Sequence, residues 1–235
     1  TKAQHHSDCM QIYRLWAPFF SGYSGSHTLC ALVESGSGAT FSPLPAQFYP
    51  VQINVQEKHK SAQHDTVHFY NHLQRDTLQK KQLQTLVDHA KDLLARTGFR
   101  AAARSFYSLN FSVHDQSAVY KGGSWNTGLL MLAYCGMVRA FYQHALVRAE
   151  QATVLIGDIH KDGHILPVDE AGLETKIQAA FHAPVSRLII ARDNRQTAEQ
   201  TLSRLSEQYP NRGLRITALE HVHELIAVSG LLKSS

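Results

Sequence analysis

An α/β fold, of the mixed α+β kind with more than one sheet and packed helices, is what this 235-residue sequence predicts. Three observations predict it. Strand patterns lead the chain after a polar start. Two helical patterns of different character occupy the middle. Short apolar runs then alternate with helical periodicity to the C-terminus.

Residues 1 to 26 mix His5-His6 with Gly and Ser, and read as an N-terminal extension with one strand around Gln11 to Trp16. Residues 27 to 235 read as one domain. Thr28 to Glu34 (TLCALVE) is a strand, ended by the turn Ser35-Gly36-Ser37-Gly38. Tyr49 to Gln56 alternates Val51, Ile53 and Val55 as a half-buried strand does. Residues 57 to 70 are polar and predict a loop. Leu83, Leu86, Val87, Ala90, Leu93 and Leu94 recur at helical spacing over 78 to 97, and Gly98 stops that helix. Ser108 to Val113 is a strand. Leu129 to Ala149 is apolar all round in its first half and predicts a buried central helix.

The last third continues with a strand over Thr153 to Ile159, a turn at Lys161-Asp162-Gly163, and a short strand over Ile165 to Val168. A helix carrying Leu173, Ile177, Ala180 and Phe181 follows, then a buried strand over Arg187 to Ala191. Thr197 to Tyr209 is a helix stopped by Pro210. Leu214 to Ile216 is a short strand. Thr217 and Glu220 are spaced as a capping box opening a last helix.

Composition excludes several classes. Apolar residues make up 43% and charged residues 18%, a globular balance with a low charge content. The net charge is +4, but no basic run is longer than Lys80-Lys81, so the clustered basic face of a nucleic-acid groove is not foreseen. No apolar run approaches the ~20 residues of a membrane span. Cys9, Cys30 and Cys135 form no CxxC and leave an odd count, which points to a reduced, cytoplasmic protein. The first residue is Thr, which fits a segment of a longer chain with a partner domain upstream. Ser35-Gly36-Ser37-Gly38 has no following GKS or GKT and reads as a strand-ending turn rather than a phosphate loop. No cofactor is expected.

The chemistry centres on Lys121 to Leu130, KGGSWNTGLL, where a glycine-rich turn runs into the buried helix. Ser124, Asn126 and Thr127 compete for the helix start, and Trp125 lies between them, either plugging a substrate groove, exposed as a contact point, or packed in the core under the loop. His160 and His164 flank a turn without a third ligand at recognisable spacing, and read as a solvated hairpin. His221 and His223 are two apart and do not share a helix face. His5, His6 and Cys9 offer three metal-ligand side chains, but read first as a flexible tail, with metal binding the weaker alternative.

Gly157 to Phe181, GDIHKDGHILPVDEAGLETKIQAAF, resembles the proteolytic domain of Lon proteases. The matching pieces are Gly157-Asp158, the hairpin glycine Gly163, the strand Ile165-Leu166-Pro167-Val168, then Gly172-Leu173-Glu174-Thr175-Lys176 and Ala179-Ala180. Other elements arrive in the family's order over residues 28 to 230, although Ala191 and Arg192 stand where a proline usually falls.

The resemblance implies a serine nucleophile at a helix start, a lysine that takes its proton, and no histidine. Lys176 falls on the family's catalytic lysine, which burial keeps neutral enough to act as a base. The nucleophile is ambiguous. Anchored on Gly128 and the helix, the serine position holds Asn126; anchored on Lys121-Gly122-Gly123, it holds Trp125, next to Ser124. An amide can hydrogen-bond an oxyanion but cannot be acylated as a serine is. Ile156 stands where the family has a threonine that helps place the lysine, and Lon-like domains without proteolysis also tend to be apolar there. The expectation is a Lon-like domain degenerate at Asn126, acting as an assembly or binding module. The alternative is an active endopeptidase with Ser124 as nucleophile and Lys176 as general base; Thr127 as nucleophile is a weaker third. The implied partners are a polypeptide substrate or partner protein, an ATPase domain or subunit upstream, and further copies of the chain in a ring, commonly a hexamer.

Overall fold

A computed structural model of the chain describes residues 28–34, 46–59, 61–70, 77–113, 123–143, 147–150 and 152–234. The strand foreseen at Gln11 to Trp16, the histidines and cysteine of residues 5 to 9, and the Ser35 to Gly38 turn lie outside them.

The first sheet has four strands in the order β1-β2-β4-β3: β1 (Thr28–Glu34), β2 (Ala46–Glu57), β3 (Thr66–Tyr70) and β4 (Tyr107–Val113). β2 is antiparallel to both β1 and β4, whereas β3 joins β4 in parallel. The 57-to-70 loop is therefore corrected at its end. Val67 is buried and Phe69 partly so, with His68 exposed between them, a three-residue alternation too short to stand out in a polar stretch.

Between β3 and β4 run α1 (Thr77–Arg96) and the short α2 (Arg100–Arg104), the latter not foreseen. The stripe Leu83, Leu86, Val87, Ala90, Leu93 and Leu94 is buried, as its spacing requires. Lys91 Nζ ties α1 to Asp65 Oδ2 at 2.7 Å, and the other oxygen of Asp65 accepts from Tyr107 N–H at 2.7 Å, so one carboxylate pins the start of β4 to the helix.

α3 (Asn126–Tyr142) is the central helix, and every residue from Asn126 to Val138 is buried. It packs against α1, β2 and β6 (Thr153–Ile156), which accounts for its largely apolar sequence. At Gly136 a Cβ would fall 2.5 Å from Val55 Cγ2, so the absent side chain is what lets helix and sheet meet. The helix stops earlier than foreseen. Gln143 takes a left-handed conformation with φ 53°, and Val147–Ala149 forms β5, antiparallel to β11 (Leu232–Ser234).

The second large sheet has three parallel strands in the order β10-β9-β6: β10 (Arg215–Leu219), β9 (Arg187–Ala191) and β6. Right after β6, β7 (Asp158–Ile159) pairs with β8 (Ile165–Leu166) in a hairpin. α4 (Glu170–His182) and α5 (Arg195–Gln208) pack on each other beside this sheet, over a second core that includes Leu173, Ile177, Phe181, Leu188 and Ile190. The fold is thus mixed α and β, with separate mixed and parallel sheets.

Two C-terminal expectations are corrected. The strand does not end at Ile216: Thr217, Ala218 and Leu219 stay paired with Ile189, Ile190 and Ala191. The capping box is made instead by His221, whose ring accepts from His223 N–H, and Glu224, whose carboxylate accepts from His221 N–H at 2.8 Å. It opens a 3-10 turn over Val222–Ala227 rather than an α-helix. Thr217 and Glu220 have the right spacing, but three ladder residues outweigh one cap.

Arg212 closes the second core. Its guanidinium donates to the carbonyls of Phe181 at 2.7 Å, Ala183, and Val185 at 2.5 Å, in the last turn of α4 and the loop that follows it. Removing it strands three charge-assisted bonds. Arg212→Ala is expected to cost ~2 to 4 kcal/mol in urea unfolding, and a loss below ~0.5 kcal/mol contradicts that role.

Candidate functional site

The glycine-rich turn and the hairpin meet at the N-terminal end of α3. Asn126 is the first residue of the helix, Thr127 the second, and Ser124 belongs to the turn before it. Asn126 is 8% exposed and Thr127 is fully enclosed, while Ser124 is half-buried. Of the three candidates it is therefore Asn126 that stands at the helix start.

Gly157 and Asp158, where β6 passes into β7, hold this end. Asn126 Nδ2 donates to Asp158 Oδ1 at 2.6 Å, and Ile159 N–H donates to the same oxygen at 2.7 Å. Thr127 donates twice to the Gly157 carbonyl, from Oγ1 at 2.7 Å and from its N–H at 3.1 Å. Gly157 N–H returns a bond to the Ser124 carbonyl at 2.7 Å, and Asn126 N–H bonds the Gly123 carbonyl at 2.8 Å. The Asp158 carboxyl presses on Gly123 so closely that a Cβ there would lie 2.1 Å from its Cγ.

These contacts decide what the helix end can do. The N-terminus of a helix favours negative charge, and its first N–H groups are the donors an oxyanion would use. Here the first two N–H groups are bonded to Gly123 and Gly157, and a carboxylate of the protein itself sits on the Asn126 amide. An incoming oxyanion would find these donors occupied and a negative charge beside them. The Thr127 hydroxyl is likewise spent on a carbonyl, which leaves little for the nucleophile role.

Trp125 is 7% exposed, with its ring centroid 5.0 Å from that of Phe69. It belongs to the core that α3 shares with α1 and the four-stranded sheet. Ile156 is buried at the end of β6. Lys176 is 4% exposed on α4, on a helix packed over the second core with Leu173, Ile177 and Ala180 buried around it. Burial of a lysine to this depth is rare without a specific partner. The described contacts join Asn126 to Asp158 and Thr127 to Gly157.

Asp158 and Gly123 are the site residues that motif reading missed. Asp158 had a signal, since Gly157-Asp158 is the first piece of the Lon-like match, but its partner Asn126 lies 32 positions away. Gly123 entered only as part of the Lys121-Gly122-Gly123 anchor, which says nothing of its contact with Asp158.

The hairpin turn carries the histidines. His160 Nδ1 and His164 Nδ1 lie 2.8 and 3.0 Å from the same oxygen of Asp162, and both rings are about half exposed. The two imidazoles, with the backbone N–H of His164, hold the Asp162 carboxyl well below the usual carboxylate range, that N–H being the strongest cause. His221 Nε2 is 2.8 Å from the Asp162 carbonyl oxygen. Among the described residues no group of three or more His, Cys, Asp or Glu side chains is arranged to hold a metal ion. No helix among them is long and apolar enough to cross a membrane.

No protein-family model matches the chain, and none of the curated proteins matches it.

Proposed function

We propose that this chain is a Lon-like domain retired from proteolysis, which works as an assembly or polypeptide-binding module. The observation that carries the reading is the closed start of α3. Asn126 stands at the helix start, its amide is bonded to Asp158 at 2.6 Å, and the first two helix N–H groups are committed to Gly123 and Gly157. The quoted Gly157 to Phe181 match supplies the family. Lys176, buried on α4, is the descendant of the general base, kept after the nucleophile was lost. Retained surfaces would then serve the ring formation and partner binding typical of the family, with an ATPase domain or subunit supplying any nucleotide-driven step.

Dye-labelled unfolded casein tests the reading. The protein is expected to leave it intact over hours, and Ser124→Ala and Lys176→Ala are expected to behave as the parent. Cleavage that both substitutions abolish would overturn the proposal in favour of a Ser124–Lys176 dyad. Sedimentation velocity tests the assembly half: a species of several copies is expected, and a monomer at high concentration contradicts it.

A further inference from the structure

We propose that the open edge of β10 takes up an extended acidic peptide as an added strand. This reading stands apart from the Lon resemblance and from the fate of the helix start. β10 pairs in parallel with β9 on one side, and among the described residues no strand lies on the other. Arg215 N–H bonds the Ser186 carbonyl, so Arg215, Thr217 and Leu219 turn their backbone groups toward β9. The alternation of a parallel ladder then aims the N–H and C=O groups of Ile216 and Ala218 outward.

A groove of about 610 Å³ lies over the sheet beside β10. Arg215, Ile216, Thr217 and Leu219 all line it, and the turn Ala227-Val228-Ser229 forms part of its wall. Successive strand residues point to opposite faces. Arg187, Arg215, Thr217 and Leu219 share one face of the sheet, so the groove lies over that face, toward which alternate side chains of a strand added beside β10 would also point. Exposed strand edges of this kind are templates for another strand, and main-chain bonds plus alternate side-chain contacts are how peptides add to them.

Charge selects the occupant. Arg187 and Arg215 both reach the groove. The only partner of the Arg187 guanidinium among the described residues is the Ser229 carbonyl at 2.7 Å, and Arg215 has no carboxylate partner among them. The acidic residue of the groove, Glu224, is already matched: Arg192 approaches one oxygen at 3.4 Å, and the N–H groups of Glu220 and His221 bond the other at 3.0 and 2.8 Å. The uncompensated charge is positive, which fits a strand bearing Glu or Asp at alternate positions.

The test uses a fluorescein-labelled hexapeptide of alternating valine and glutamate, followed by anisotropy with the full chain. Saturable binding is expected. A lysine-for-glutamate peptide and a peptide N-methylated at alternate amides should each bind at least about tenfold more weakly. Arg215→Glu, at an exposed position, should weaken the glutamate peptide by about tenfold or more at unchanged thermal stability. Ala218→Pro, which removes an outward donor and no ladder bond, should also weaken it. Equal binding of the lysine or N-methylated peptide, displacement by millimolar inorganic phosphate alone, or no saturable binding overturns the proposal. So does a β10 edge covered by a second copy of this chain, seen as a dimer that Ala218→Pro dissociates.

Discussion

Asn126→Asp is expected to destabilise the protein by about 2 to 4 kcal/mol at neutral pH. The substitution keeps shape and volume and replaces a donor by a carboxylate. Asn126 Nδ2 now donates to Asp158 Oδ1 at 2.6 Å in a mostly buried site, so the variant would set two carboxylates in contact. Like charges at that range cannot both ionise cheaply, and one carboxyl is pushed up. A group whose folded pKa lies above its unfolded value contributes stability that is present at low pH and lost as pH rises through the folded value. The variant's deficit should therefore be small near pH 4 and should grow toward pH 8, as read from urea midpoints across that range. Asn126→Asp combined with Asp158→Asn swaps donor and acceptor, and is expected to recover most of the loss. A single variant as stable as the parent at pH 8 would mean that the helix start is not held by this pair.

Gly136→Leu is expected to cost about 3 kcal/mol or more, or to prevent folding. A Cβ at Gly136 alone would sit 2.5 Å from Val55 Cγ2 on β2, and the larger side chain has only the packed space between α3 and the four-stranded sheet to enter. Gly136→Ala is the graded case. Its helix propensity gains ~1 kcal/mol, which the clash with Val55 offsets. Val55→Ala should relieve that clash, so the double variant should be more stable than the two single losses predict, an interaction of about 1 kcal/mol or more. Strict additivity would show that α3 and β2 do not meet at this glycine.

The parts of the fold legible in the sequence were those with their own periodicity. The stripe from Leu83 to Leu94, the alternation Val51-Ile53-Val55 and the run Arg187 to Ala191 each state a face or a buried strand within a few residues, and each forms the element foreseen. What was not legible depended on partners far along the chain. Thr66 to Tyr70 becomes a strand because β4 lies ready to pair with it. Val147 to Ala149 leaves the helix because residues near the C-terminus pair with it. Thr217 to Leu219 extend a strand because β9 lies beside them, although a capping signal was present.

The site shows the same division. That Asn126 competes for the helix start could be read from KGGSWNTGLL. That its amide meets Asp158, and that Gly123 is needed to leave room for that carboxylate, could not, because the two segments are joined only in three dimensions. Trp125 looked equally suited to a groove or a core, and its packing on Phe69 from β3, a strand the sequence did not reveal, decides for the core.

The most direct test of a retired helix start is covalent trapping. The protein would be incubated with a fluorophosphonate that reacts with activated serines, and its intact mass measured before and after. The closed arrangement of Asn126, Asp158 and Gly157 predicts an unchanged mass. A single adduct mapped to Ser124, and lost in Lys176→Ala, would contradict it and make this a working serine peptidase.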